Sequence, residues 1–150
     1  MSRIQSSVHV LLVEDDDAHA ELIELALMEG DVDHPFTRAS SGEIALQLLL
    51  GPSPEAPRFD CIFLDMKLRR MSGIDVLEQV RTSELDHVRN IPVIMLTTSV
   101  HVKDLDRAYT HHANSFIKKP LQFEAPQEVI KDLQRYWCLH NVKRPQRSDI

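Results

Sequence analysis

The chain reads as an α/β protein: a doubly wound, five-stranded parallel sheet with helices on both faces. Three observations lead there. First, Val10–Val13, residues 61–64 and residues 93–96 are continuous apolar runs, not alternating ones. That is the pattern of strands buried on both faces. Second, the stretches between them carry apolar residues at helical spacing, such as Leu22, Ile23, Leu25, Ala26 and Leu27 within residues 18–29. Third, strand and helix alternate five times, and repeated β-α units cover a parallel sheet with helices on both sides.

The elements follow in order. Val10–Val13 is the first strand and residues 18–29 the first helix. Residues 35–39 form a weaker second strand. Ser40 and Glu43 have capping-box spacing ahead of the apolar residues 44–50, which form the second helix. The Pro-rich stretch 51–57 is a surface loop. Residues 61–64 are the third strand, and Ser72 caps a helix that turns Val76, Leu77 and Val80 inward. Residues 93–96 are the fourth strand, followed by a helix at about 101–110. Ser115–Lys118 is the fifth strand, and residues 123–139 form the last helix.

Composition narrows the function. A length of 150 residues fits one domain, 1–150, with flexible ends at 1–7 and 144–150. Seventeen Lys and Arg against 23 Asp and Glu leave a net charge of −6. This argues against binding nucleic acid by bulk charge, which needs clustered cations. No apolar run approaches the about 20 residues of a membrane span, and the first residues do not read as a signal peptide. Cys61 and Cys138 are too few for a disulfide framework or a Cys-rich zinc site. The expectation is a cytoplasmic protein with no nucleic-acid or membrane partner.

The chemistry sits at the strand ends. Strand one ends in Glu14 and Asp15, strand three in Asp65, strand four in Thr97-Thr98-Ser99, and strand five in Lys118-Lys119. Open α/β sheets bind ligands beyond the carboxyl ends of their strands, so these residues should converge. Clustered carboxylates repel one another unless a cation neutralises them. An all-oxygen set with few carboxylates suits Mg2+ better than Ca2+. Carboxylate, metal, lysine and hydroxyl together suit phosphoryl transfer. With four Gly and no Gly-rich phosphate loop, a nucleotide is not the expected ligand. The phosphoryl group would instead go onto a carboxylate, with Asp65 the central candidate. His111 and His112 are adjacent, so on a helix they point about 100° apart and do not share a face. None of the eight His reads as a ligand or as a catalytic phospho-histidine.

These pieces, in this order and spacing, resemble the receiver domain of two-component response regulators. The matching runs are residues 10–16, residues 63–66 with Gly73 eight residues after Asp65, residues 93–97, and residues 116–120. The resemblance covers about residues 8–140 and implies the flavodoxin-like strand order 2-1-3-4-5. It further implies that Asp65 is the phosphoacceptor, Asp15 the direct metal ligand and Glu14 an acid acting through water. Lys67 would lend a backbone carbonyl to Mg2+, Thr97 would hydrogen-bond the phosphoryl group and Lys119 would pair with it. Phe116 matches the aromatic switch position, and Lys119-Pro120 the family's cis peptide. Residues 119–145 resemble the tails of small stand-alone regulators that partner phytochrome-type histidine kinases. A bacteriophytochrome is therefore the implied phosphodonor. Arg69 stands where many relatives have Pro, and Pro126 where they often carry a bulky apolar residue.

The resemblance implies a signalling phosphoacceptor, not an enzyme with turnover, although it would assist its own phosphorylation and dephosphorylation. Two alternatives remain. One is an aspartyl-phosphate phosphatase or phosphomutase; such enzymes usually carry a second Asp two residues after the nucleophile, where this chain has Lys67. The other is a docking receiver that never takes up phosphate, which the intact set of Glu14, Asp15, Asp65, Thr97 and Lys119 opposes. Tyr136 and Trp137 are read most simply as core packing. Together with Leu139 they also suggest a homodimer through the face formed by the fourth helix, the fifth strand and the last helix.

Overall fold

The structure, a computed structural model, describes residues 2–51, 58–119, 126–145 and 149–150. Its elements in chain order are β1 (Ile4–Gln5), β2 (Val10–Val13), α1 (Asp17–Glu29), β3 (Val32–Asp33), β4 (Phe36–Ala39), α2 (Gly42–Leu50) and β5 (Cys61–Asp65). They continue with α3 (Gly73–Arg81), α4 (Asp86–Arg89), β6 (Val93–Thr97), α5 (Val102–Thr110), β7 (Ser115–Lys118) and α6 (Pro126–Arg135). A π-helical turn, Tyr136–His140, follows α6.

The main sheet is parallel throughout, in the order β4-β2-β5-β6-β7. Counting only these five strands, that is the expected order 2-1-3-4-5. The unbroken apolar runs are explained by the two cores. Leu11, Val13, Ile62, Leu64, Val93 and Met95 face α2, α3 and α5. Their neighbours Val10, Leu12, Cys61, Phe63, Ile94 and Leu96 face α1 and α6. Each strand residue therefore points into one apolar layer or the other, and every strand ends at the same edge. A side chain such as Phe63, with no exposed surface, contributes about 1.5–3 kcal/mol by burial.

The helices obey their own signals. Asp16 caps α1 by accepting from His19 N, and Ala20, Ile23, Ala26 and Leu27 form its buried face. Ser72 and Asp75 form a reciprocal capping box on α3. The cap of α2 is Ser41, which accepts from Ile44 N, and not Ser40. The helix begins one residue later than the S-x-x-E spacing implies, because Ala39 is still paired with Val13 in the sheet.

Three features differ from expectation. Residues 1–7, read as a flexible end, include β1, which pairs in parallel with β3. Arg3 strengthens that pairing by donating to the carbonyls of Leu27, Gly30 and Val32. The four-residue α4 was not foreseen. Tyr136, read as core, is exposed, while Trp137 is half-buried and meets it edge to face at 4.9 Å. The loop at 52–57, the Lys119–Pro120 peptide and the start of the last helix before residue 126 lie outside the described residues.

One buried polar joint locks α6 to the rest. Gln134 has no exposed surface and donates to the carbonyls of Leu27 and Val32 at 2.8 and 3.1 Å. Its Nε2 also faces His34 Nε2 at 3.0 Å. An amide nitrogen only donates, its two N–H groups being shared among these three acceptors, so His34 Nε2 accepts and the ring carries its proton on Nδ1, 3.0 Å from Pro35 O. A Cβ on Gly30 would meet Gln134 Oε1 at 1.9 Å, so the joint needs glycine there. Burial lowers the His34 pKa below its ordinary 6.5. The folded state therefore binds fewer protons than the unfolded one. The neutral ring's contribution is complete above pH 6.5 and is lost as the pH falls below it. In urea unfolding, the wild type should lose more stability between pH 7.5 and 5.5 than His34→Gln does. His9 and His87 are shifted the same way and Glu14 the opposite way, so the difference between wild type and variant, not either loss alone, reports on His34. Equal losses would contradict the assignment.

Candidate functional site

The ends of β2, β5, β6 and β7 bring together Glu14, Asp15, Asp65, Thr97 and Lys119. Parallel strands in register make this unavoidable: Val13 pairs with Leu64, Asp65 with Leu96, and Thr97 with Lys118. The amide of Lys119 then donates to Thr97 O at 2.5 Å, continuing the ladder by one residue. Glu14 has no exposed surface, and Asp65 and Lys119 are 4% and 5% exposed.

Charge holds the centre. Lys119 Nζ lies 2.6 Å from Glu14 Oε2 and 3.2 Å from Asp65 Oδ2. The approach to Glu14 is a close charge contact and not a well-angled hydrogen bond. Burial pushes the Glu14 carboxyl up to about 7, and the nearby Asp65 charge pushes the same way, against the opposing pull of Lys119. Asp65 Oδ1 accepts from Lys67 N at 3.2 Å. Asp15 is more open; its Oδ2 accepts from Arg69 N at 3.0 Å, with the Arg69 Nε 3.9 Å away. A proline at position 69 would lack that N–H.

Glu14, Asp15 and Asp65 each offer an oxygen within 4.8 Å of the others. An all-oxygen trio of this kind fits a hard divalent cation. Glu14 Oε2 is buried without a hydrogen-bond partner among the described residues, so this carboxylate is left short of donors even with Lys119 beside it. The residues present therefore fit the implied Mg2+.

The remaining expected residues fall as follows. Thr97 is fully buried at the end of β6, but its hydroxyl donates to Ser99 O at 2.8 Å, within its own loop. Phe116 on β7 is half-buried and packs against the core layer under α2, α3 and α5. Lys67 lies in the turn after β5. Gly73, eight residues beyond Asp65, opens α3 with its N–H on Met66 O. One residue went unread in the sequence: His19 on α1 places Nδ1 3.1 Å from Lys119 Nζ. Nothing in the local sequence marks it, because the contact spans 100 residues.

The chain belongs to the response regulator family: the response regulator receiver domain model matches residues 10–131. Among its relatives, the probable methanogenesis regulatory protein FilR2 of Methanothrix harundinacea is 38% identical over 131 residues, covering 85% of this chain and 82% of that protein. The response regulator Rcp1 of Synechocystis is 28% identical over 138 residues, covering 91% and 92%. The crystal structure of Rcp1 in its Mn2+-bound form has a TM-score of 0.82 at 26% identity, covering 92% of this chain and 99% of that one. The phosphorylated cyanobacterial phytochrome response regulator RcpA has a TM-score of 0.84 at 27% identity, covering 93% and 100%. Among the described residues, no helix is long and apolar enough to cross a membrane.

Gly73 carries a steric prediction. A Cβ there would lie 2.2 Å from Asp65 O and 2.9 Å from Met66 Cα. Both are backbone atoms that cannot move aside, so Gly73→Ala must shift the end of β5. It should destabilise the fold by about 1–3 kcal/mol in urea unfolding. An unchanged midpoint would show that the turn after β5 has slack.

Proposed function

We propose that this chain is a phospho-accepting response regulator. In this reading Asp65 takes a phosphoryl group from the phosphohistidine of a sensor histidine kinase, of phytochrome type, with Mg2+ in the acidic pocket. The observation that carries the reading is the placement of Asp65, 4% exposed, between the Lys119 ammonium and the other two carboxylates. The similarity to the phosphorylated cyanobacterial phytochrome response regulator RcpA supports the kinase type. The Mn2+-bound form of Rcp1 supports a divalent cation.

The Lys67 amide holds Asp65 Oδ1, which leaves Oδ2 to attack. An Oδ2–P bond forms as the P–N bond to the donor imidazole breaks, and that electron pair returns to the imidazole nitrogen. Asp15, Glu14 and Asp65, with the Lys67 carbonyl, would hold Mg2+, which when bound neutralises charge on the phosphoryl oxygens. Lys119 does the same from the β7 side. Thr97 reaches the phosphoryl group by giving up Ser99 O for it. Lys67 stands two residues after Asp65, where aspartyl-phosphate phosphatases usually carry an acid/base Asp, and as an ammonium it offers no base for turnover, so the chain acts as a switch and not as a phosphatase.

The test is intact mass after incubation with Mg2+ and acetyl phosphate. A single phosphate adduct is expected in the wild type and none in Asp65→Asn; an adduct that survives the substitution contradicts the reading. Calorimetry should show Asp15→Asn lowering Mg2+ affinity by at least about tenfold. Glu14→Gln should lower it less, because Glu14 is already engaged by Lys119. Equal losses would remove the distinction between a direct and a water-mediated ligand.

The proposed output is a homodimer through the α5–β7–α6 face, where Val102, Tyr109 and Tyr136 are exposed. Sedimentation should detect dimer at high concentration, strengthened by Mg2+ with beryllofluoride. Monomer alone under both conditions would overturn it.

A further inference from the structure

His19, partly exposed, is the one neighbour of the Lys119 ammonium that the proposed phosphoryl chemistry leaves without a task. Its backbone is fixed: its N–H bonds the cap residue Asp16 at 3.0 Å. Its ring reaches inward, with Nδ1 3.1 Å from Lys119 Nζ and 3.8 Å from Glu14 Oε1. An ammonium only donates, so Nδ1 must be the acceptor and the ring proton sits on Nε2, the edge that lies 3.9 Å from Asp16 Oδ2. Lys119 has three N–H groups, and within 3.2 Å it has three partners: Glu14, Asp65 and His19. The Lys119 side chain is 2% exposed, so these three partners and not solvent surround its ammonium.

We propose that His19 is a positioning residue that anchors the third N–H of Lys119 and so keeps the ammonium from closing on Asp65 Oδ2. This rests on the phosphoacceptor reading of Asp65. Without the imidazole acceptor, the spare N–H turns to the two carboxylates already within 3.2 Å. Oδ1 is already held by Lys67 N, so a tighter ammonium contact ties up the one oxygen left to attack phosphorus. The ammonium then sits lower in the site than the arriving phosphoryl oxygens need.

The experiment compares wild type, His19→Leu and His19→Asn. Asn places Oδ1 on Cγ where His has Nδ1, so it keeps an acceptor in place; Leu keeps the bulk without one. Phosphoprotein formation from acetyl phosphate at saturating Mg2+ should slow about tenfold in His19→Leu, the effect of one lost hydrogen bond to a charged group. It should recover in His19→Asn. Mg2+ affinity measured by calorimetry should be the same in all three. On unphosphorylated protein, the 15N signal of the Lys119 ammonium should persist in wild type and His19→Asn and be lost to exchange in His19→Leu. Equal rates in wild type and His19→Leu, a slow His19→Asn, or a fall in Mg2+ affinity that tracks the rate would each overturn the proposal. Absence of any adduct in wild type overturns the phosphoacceptor reading instead. The ammonium signal then decides the anchoring by itself.

Discussion

A single ammonium group sets the terms for this end of the molecule. Glu14 and Asp65 are taken almost wholly out of water, and two buried carboxylates side by side repel. Isolated buried charge costs several kcal/mol per ion unless a partner offsets it. Lys119 Nζ, 2.6 and 3.2 Å from the two, is that partner, and Lys119 is itself buried and needs them. The strands that deliver these three residues must therefore end in register and adjacent. β2 and β5 are neighbours, and β7 lies two strands from β5, so the lysine must reach across the end of β6. Thr97 at that end is fully buried beneath the reach.

The same requirement explains why the turn after β5 is so tight. Met66 N bonds Leu96 O, Gly73 N bonds Met66 O, and the chain doubles back close enough that only glycine fits at 73. The turn aims Lys67 N at Asp65 Oδ1 and Arg69 N at Asp15 Oδ2. Two carboxylates are thus held from the same short loop. The backbone at Arg70 takes a φ of 65° to do it, a region that a non-glycine residue enters at some cost. The opposite end of the molecule is fastened by hydrogen bonds to backbone carbonyls instead. There Gln134 and Arg3 share the carbonyls of Leu27 and Val32, so α6, α1 and the N-terminal strand meet on one turn.

Much of this was legible in the sequence, for identifiable reasons. The five sheet strands were visible because each central one is buried on both faces and cannot afford a polar residue until its end. The site residues were visible for the same cause: polarity begins where the apolar run stops, as at Glu14, Asp65 and Thr97. Other elements left no such mark. β1 and β3 are two residues each and mostly rest on backbone pairing and Arg3, which leave no periodicity to find. The four-residue α4 is too short for a helical stripe. The cap of α2 slipped by one because Ser40 and Ser41 are chemically equal, and only the end of sheet pairing separates them. Tyr136 looked like core by spacing, but the chain after Arg135 widens into a π-helical turn, so the α-helical periodicity no longer assigns its face. His19 was invisible because its role is set by Lys119, on another element, and not by its neighbours.

The resting arrangement also bounds how large a switch this site can be. On the proposed reading, a phosphoryl group on Asp65 exchanges partners more than it adds them. Lys119 already has Glu14, Asp65 and His19 within 3.2 Å, so its contact to Asp65 Oδ2 passes to a phosphoryl oxygen. Thr97 must release Ser99 O before its hydroxyl can donate elsewhere. Each exchange of one intramolecular hydrogen bond for another is worth about 0.5–1.5 kcal/mol net, and up to about 3 kcal/mol where charge is involved. Two or three such exchanges give a shift of a few kcal/mol, enough to change the populations of two packings by a hundredfold or so. It is too little to break the layers of Val, Ile, Leu and Phe beneath, whose burial is many times larger. The change must then travel through elements at the rim of the core. The loop after Thr97 leads directly into α5, and Phe116 is only half-buried beside it on β7. The apolar sheet acts as a fixed floor, and the energy released at Asp65 is matched to what the segments resting on that floor can absorb.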